Sequence, residues 1–271
     1  MNIGAFIPIR SASERLPKKA MKVAFEETIL AHLVQRIAAT QLIHDRKQIV
    51  VCTTICETDD ELTYLAKSLG VEVFRGAEND IIKRFHDANL RYNFDVILQI
   101  DGDDPLIPPE YCDLVLSSVI ELSTDVAFTK SLPYGANVKA FTAQALRKVH
   151  EAYKSTENDT GFGLYFLNEE LCTSIEVQPV CSEHENPNIR LTLDYQEDLN
   201  LISQIIEDIY LTQKGDLSLS TVLKILNTKP HLKSINWFRQ VEHLSRSEAK
   251  IELFASIGGQ MKKITSSRTA S

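Results

Sequence analysis

The sequence predicts an α/β fold with a mostly parallel mixed sheet sandwiched by helices. Short apolar runs alternate with amphipathic stretches, the connections between them are short, and the order of elements becomes mixed only after residue 109. Residues 2–9 are almost continuously apolar, as in a strand covered on both faces, and a basic loop follows over residues 10–22. Thr28 then caps a helix whose buried stripe is Ile29, Leu30, Leu33, Val34 and Ile37, and residues 48–52 form the next strand. The unit repeats. Asp59 opens a helix marked by Leu62, Leu65, Ala66 and Leu69, Gly70 stops it in the left-handed region, and residues 71–74 are a strand. A helix over 80–92 leads to a strand over 95–100.

Further along, helices are expected at 110–122, 143–152, 197–210, 219–226 and 239–254, and strands or extended pieces at 125–129, 137–141 and 189–194. The expected organisation is one α/β domain over 1–215, a helical extension over 216–257 packed on the domain or on a dimer partner, and a flexible tail over 258–271. The apolar C-terminal helices, with Trp237 and Phe238, give a homodimer as the expected assembly.

Composition narrows the function. The chain has 271 residues, and 29 Lys and Arg against 37 Asp and Glu give a formal charge of −8. That balance argues against a nucleic-acid-coating protein, which needs a broad cationic face. No apolar stretch approaches the roughly 20 residues of a membrane helix, and the start lacks a basic leader, so a cytoplasmic protein is expected. The five cysteines have no C-x-x-C spacing and read as reduced core thiols, and Cys181 with His184 lacks a second ligand pair for zinc.

Ligands of parallel sheets sit beyond the carboxyl ends of the strands, and two polar clusters fall there. The first, RSASERLPKK, carries Arg10, Arg15, Lys18 and Lys19; guanidinium and ammonium groups so placed neutralise a triphosphate and a departing pyrophosphate. The second, QIDGDDPLI, crowds Asp101, Asp103 and Asp104 where a divalent cation would relieve their repulsion. A third run, RLTLDYQEDL, ends a predicted strand at Asp194. Each has a plainer explanation when taken alone: a solvated basic loop, a polar turn, and a helix cap. Together they suit nucleotidyl transfer, with Asp103 and Asp194 on a metal and Lys19 and Arg15 on the leaving group. His86 and His184 read as packing or solvated residues, and Tyr165 and Phe166 as core.

The ordered set Arg10-x-x-Ser13-x-Arg15-Leu16-Pro17-x-Lys19, Val73-Phe74-Arg75-Gly76 with Asp80-x-x-x-Arg84, Gly102-Asp103-x-Pro105-Leu106-Ile107, Pro133-x-Gly135-x-x-Val138 and the run from Arg190 resembles the cytidylyltransferase family of the spore-coat polysaccharide type. Its relatives activate acylneuraminate and 3-deoxy-manno-octulosonate. The resemblance covers residues 3–245 and implies a nucleotide-diphospho-sugar transferase (Rossmann-like) fold, CTP as donor, a sugar or sugar acid as acceptor, and Mg²⁺ as cofactor. It places Arg10, Arg15 and Lys19 on the triphosphate loop and Asp103 and Asp194 on the metal, with Arg75, Asp80 and Arg84 near the nucleotide. Ile9, Ser13 and Asp101 complete the nucleotide set; a sugar acid needs cationic contacts, for which Lys139 and Arg190, or Lys130, are the expected residues, each of which reads equally as a surface charge or a structural ion pair.

Two positions depart from the pattern. Lys18 stands where the family usually has Gly, and Asp101 where relatives carry Gln or Thr, which bears on nucleobase choice. The competing chemistry is a metal-dependent glycosyltransferase using Asp101-x-Asp103, which has no need of the triphosphate loop. A nucleotide-binding protein without turnover is a third reading.

Overall fold

Strand β1 (Ile3–Pro8) is the hub of a seven-stranded sheet in the computed structural model, which describes residues 1–155, 157–158, 161–246 and 252–264. A two-stranded ribbon, β2 (Val23–Ala24) and β3 (Glu27–Thr28), follows the first loop and leads into helix α1 (Ile29–Ala38), capped by the Thr28 hydroxyl accepting from Ala31 N at 3.2 Å. Then come β4 (Ile49–Thr54), α2 (Asp60–Ser68), β5 (Glu72–Gly76), α3 (Ile81–Tyr92) and β6 (Val96–Gln99). The second half holds α4 (Pro109–Glu121), β7 (Val126–Phe128), β8 (Lys139–Thr142), α5 (Ala143–Ala152), the short α6 (Gly163–Phe166), β9 (Ser174–Glu176), α7 (Gln196–Thr212), α8 (Leu219–Thr228) and α9 (Trp237–Arg246). A hairpin, β10 (Leu253–Ile257) and β11 (Gln260–Ile264), closes the described chain.

The sheet order is β5-β4-β1-β6-β8-β7-β9. β1 pairs in parallel with β4 on one side and β6 on the other, so the chain reverses its winding beside β1 and opens a crevice between the exits of β1 and β6. Only β8 runs antiparallel to its neighbours, which makes the sheet mixed. Burial on both faces explains the unbroken apolar runs. Within β1, Ala5 and Ile7 join one core and Phe6 the other, as the two-residue strand period requires. Gly4 admits no side chain, because a Cβ there would stand 2.3 Å from the Phe94 ring.

Three expectations are corrected. Residues 189–194 do not form a strand: Leu191 and Leu193 are buried as their alternation suggests, but only an isolated bridge joins Arg190 to Tyr134. Of the expected helix over 239–254, α9 covers the described residues as far as Arg246, residues 247–251 lie outside the described residues, and 253–257 is a strand. The expected tail from 258 begins instead with the hairpin turn and β11, and residues 265–271 lie outside the described residues. The reason is local and apolar. Gly258 and Gly259 both take positive φ, 59° and 77°, as a tight hairpin turn requires, and Leu253, Ala255 and Ile264 are buried in the core beside α5 and α6. The Tyr165 hydroxyl donates to Phe254 O at 2.9 Å and fastens the hairpin to α6.

Candidate active site

A cleft of about 1900 Å³ opens at the carboxyl ends of β1 and β6. The loop after β1 forms one wall, and its shape is set at Ser11. The Ser11 N–H donates to Asp59 Oδ1 at 2.7 Å, while Ser11 O accepts from Ser13 N at 2.9 Å and Lys18 N at 3.2 Å, so one peptide draws both ends of the loop together. Asp59 is itself buried, with Oδ2 accepting from the Thr53 hydroxyl at 2.7 Å, the Thr54 hydroxyl at 2.5 Å and Thr54 N at 3.1 Å. Burial would raise its carboxyl, but these donors hold it below the usual range. Lys18 takes φ 56° and ψ 34°, a left-handed conformation that favours glycine and costs a lysine about 1 kcal/mol. Its ammonium pairs with Glu61 at 2.6 Å.

The opposite wall is the turn after β6. Gly102 packs under Ile9, where a Cβ would stand 2.5 Å from the Ile9 side chain, so the two loops touch only because residue 102 is glycine. Asp103 O accepts from Leu193 N at 2.7 Å, which ties this turn to the segment carrying Asp194.

At the centre, Lys19 Nζ donates to Asp103 Oδ2 at 2.6 Å and to Asp194 Oδ1 at 3.3 Å, and Arg15 Nη2 reaches the same Asp194 oxygen at 2.8 Å. Two carboxylates separated by 91 residues thus converge on one ammonium group. Burial would lower the Lys19 ammonium, yet the charges of Asp103 and Asp194 outweigh it and raise it. Burial would likewise raise Asp194, and the opposing charges of Lys19, Arg15 and Arg190 hold it low. Enclosure by the cleft walls, then the Asp103 charge, push Asp101 up to about 6, although its side chain still meets the water of the cleft; Gln99 Nε2 donates to it at 2.9 Å. Asp104 is buried and pushed well above the carboxylate range by burial and then by Asp103 and Asp101. Burial lowers the Lys139 ammonium, with Asp101 opposing. Lys139 lies over the Phe162 ring at 5.6 Å, pinned where a Cβ on Gly163 would come within 2.7 Å of its Nζ.

The structure brings most of the expected residues together. Ile9, Arg10, Ser13, Arg15 and Lys19 line the cleft on one side, and Asp101, Asp103, Asp194, Arg84, Lys130 and Lys139 line the rest. Three expected contacts lie elsewhere. Arg75 is absent from the lining, its guanidinium donating to Thr54 O, Cys56 O and Asp60 at 2.9, 2.7 and 2.6 Å, which braces the end of β4. Asp80 caps α3 through Lys83 N at 2.9 Å and accepts from Tyr153 and Asn158 at 2.8 Å each. Arg190 is buried behind the site, donating to Asp198 from Nε at 2.9 Å and from Nη2 at 3.0 Å and to Asp194 from Nη2 at 3.0 Å, so it orients a carboxylate instead of meeting an acceptor. The sequence carries no signal of these roles for Asp59 and Asp198; each reads there as an ordinary helix-start acid.

The donor set fits a hard dication. Asp103 and Asp194 present carboxylate oxygens to one cationic point, and Mg²⁺ takes one or two such ligands and completes its shell with phosphates and water. Among the described residues no group of three or more His, Cys, Asp or Glu is arranged to hold a metal ion.

The family model described as cytidylyltransferase matches residues 5–225. This chain is a member of the cytidylyltransferase family. It is similar to an uncharacterised protein of Methanocaldococcus jannaschii, 30% identical over 238 residues that make up 87% of this chain and 95% of that one. The spore coat polysaccharide biosynthesis protein SpsF of Bacillus subtilis is 26% identical over 83% of this chain and 93% of its own length. Among solved structures, a cytidylyltransferase from Leptospira borgpetersenii superposes with a TM-score of 0.76 at 27% identity, covering 86% of this chain and 96% of that one. A CMP:2-keto-3-deoxy-manno-octonic acid synthetase complexed with CTP shares the fold, with a TM-score of 0.60 at 14% identity over 77% and 99% of the two chains. The cytidylyltransferase is therefore a nucleotidyltransferase enzyme of the nucleotide-diphospho-sugar transferase fold.

Proposed function

We propose that the enzyme transfers CMP from CTP to a hydroxyl of a sugar or sugar acid, releasing pyrophosphate and giving a CMP-activated sugar for surface glycan synthesis. The observation that carries this reading is the convergence of Lys19, Arg15, Asp103 and Asp194 at the mouth of the β1 loop. A triphosphate laid along that loop meets Arg10, Arg15 and Lys19, while the acceptor enters from the side of Lys130 and Lys139. Asp103 and Asp194 would hold Mg²⁺, which when bound polarises the α-phosphate and neutralises charge on the departing group. Lys19 then turns from the carboxylates to the phosphate oxygens, and Arg15 stabilises the pyrophosphate leaving group. Arg190 keeps Asp194 aimed at the site, and the Asp59–Ser11 contact keeps the loop in shape.

The triphosphate loop and the family match separate this reading from a glycosyltransferase using Asp101-x-Asp103. The proposal includes the earlier expectations of a cytoplasmic homodimer; among the described residues no helix is long and apolar enough to cross a membrane. The test is a pyrophosphate-release screen crossing the four nucleoside triphosphates with neutral sugars and sugar acids in the presence of Mg²⁺. Release with CTP and one acceptor class is expected. Release with another triphosphate alone would refute the CTP assignment, and binding without release under every pairing would refute turnover.

A further inference from the structure

Residues 230–242 follow the span matched by the family and press a second layer of polar contacts onto the segment that carries Asp194. Asn236 precedes α9 and is 2% exposed. Its carbonyl accepts from Arg239 N at 2.9 Å and so starts the helix, while its side-chain amide points inward. Asn236 Nδ2 donates to Asp198 Oδ1 at 2.8 Å and to Arg190 O at 3.1 Å. Asp198 is fully buried, and its other oxygen accepts from Asp194 N at 2.9 Å and Tyr195 N at 3.0 Å. Asp198 also holds Arg190, which in turn fixes the second oxygen of the Asp194 carboxylate. The backbone and the side chain of Asp194 are therefore both set by one buried Asp198–Arg190 pair, and Asn236 supplies that pair's contact with the C-terminal segment. A second contact runs parallel to it: the Arg239 guanidinium lies over the Tyr195 ring at 4.0 Å and pairs with Glu197 at 3.1 Å.

We propose that the segment 230–242 is a strut for the candidate metal site, with Asn236 as a positioning residue that sets the direction of Asp194 through Asp198 and Arg190. This rests on the reading of Asp194 as a cation ligand. A buried charge pair that loses one neutral donor stays paired but relaxes, and groups behind metal ligands typically change metal affinity or activity by about 10- to 100-fold when removed.

The test compares wild type with N236A in the full chain. The expected result is a rise of about tenfold or more in the Mg²⁺ concentration giving half-maximal pyrophosphate release, with KM for CTP at saturating Mg²⁺ changed by less than about twofold. A parallel loss of affinity is expected for Mn²⁺, followed by its paramagnetic resonance signal with CTP present and no acceptor. A merely structural role lowers Tm and leaves the metal dependence where it was. If N236A does not fold, N236S, which keeps a short donor, is read in its place with an expected shift in the same direction. Wild-type Mg²⁺ and Mn²⁺ dependence in the folded variant overturns the strut. D194A separates the two readings: if it works at the wild-type rate the metal site itself is wrong, whereas an inactive D194A beside an unshifted N236A removes only the strut.

Discussion

Replacing Lys19 by alanine removes an ammonium group that touches both central carboxylates. Its ammonium lies 2.6 Å from Asp103 and 3.3 Å from Asp194. Two effects follow, and they differ in sign when Mg²⁺ is added. Without cation, the variant leaves a close pair of like charges in a partly solvated site; Arg15 and Arg190 still neutralise Asp194, so the folded state should lose about 1–3 kcal/mol. Adding Mg²⁺ should restore more stability to K19A than to wild type, because the dication takes over the pairing that the ammonium provided. In turnover no such substitution is available on the phosphate side. Loss of one preorganised cationic donor to the departing pyrophosphate should cut kcat by about 100- to 1,000-fold, or roughly 3–4 kcal/mol. The assay is pyrophosphate release at saturating CTP and Mg²⁺, with thermal unfolding at graded Mg²⁺. A K19A enzyme within about threefold of wild type, or equal Mg²⁺-induced gains in Tm, would refute the placement of Lys19.

Asp59→Ala strips its partners from Ser11 N, Thr53 and Thr54, so a loss of about 3 kcal/mol and weaker binding of CTP than of CMP are expected from chemical denaturation and calorimetry; unchanged discrimination between the two nucleotides would count against the loop's role. The Asp194 carboxyl is held low in the folded state, so its contribution is present above the ordinary carboxylate range and lost as pH falls through its folded value. The stability gap between wild type and D194N should then shrink below about pH 4, and a gap independent of pH would contradict the pairing. Asp104 is pushed the other way by burial and its acidic neighbours, so without divalent cation wild type should lose stability relative to D104N as pH rises above about 4; urea midpoints at several pH values check the sign. Truncation after residue 251 uncovers the core that Leu253, Ala255 and Ile264 fill and should destabilise the protein by about 3 kcal/mol or more, whereas removal of a solvated tail would leave Tm unchanged.

Much of this was legible in the sequence because burial on both faces writes itself as unbroken apolar runs. The strands β1, β4 and β6 and the helices α1, α3 and α5 stand within a few residues of where periodicity puts them. The loop after β1 and the turn after β6 were legible as site walls because ligand positions follow from strand exits. Pairings remote in sequence were not. Arg75 and Arg190 have the charge of ligand contacts, and only the fold shows that backbone carbonyls and Asp198 consume them. Asp59 looks like a helix cap, and its role depends on Ser11 lying 48 residues away in the chain. The hairpin carried a local signal, Gly258-Gly259 between alternating apolar residues, which the helical spacing of the preceding segment obscured.

The most direct measurement is a crystal structure with CTP and Mn²⁺, in which anomalous scattering locates the metal. Metal density touching both Asp103 and Asp194, with Lys19 and Arg15 turned onto the phosphates, is the predicted result. Metal bound away from either carboxylate, or a triphosphate lying outside the loop after β1, would contradict the account.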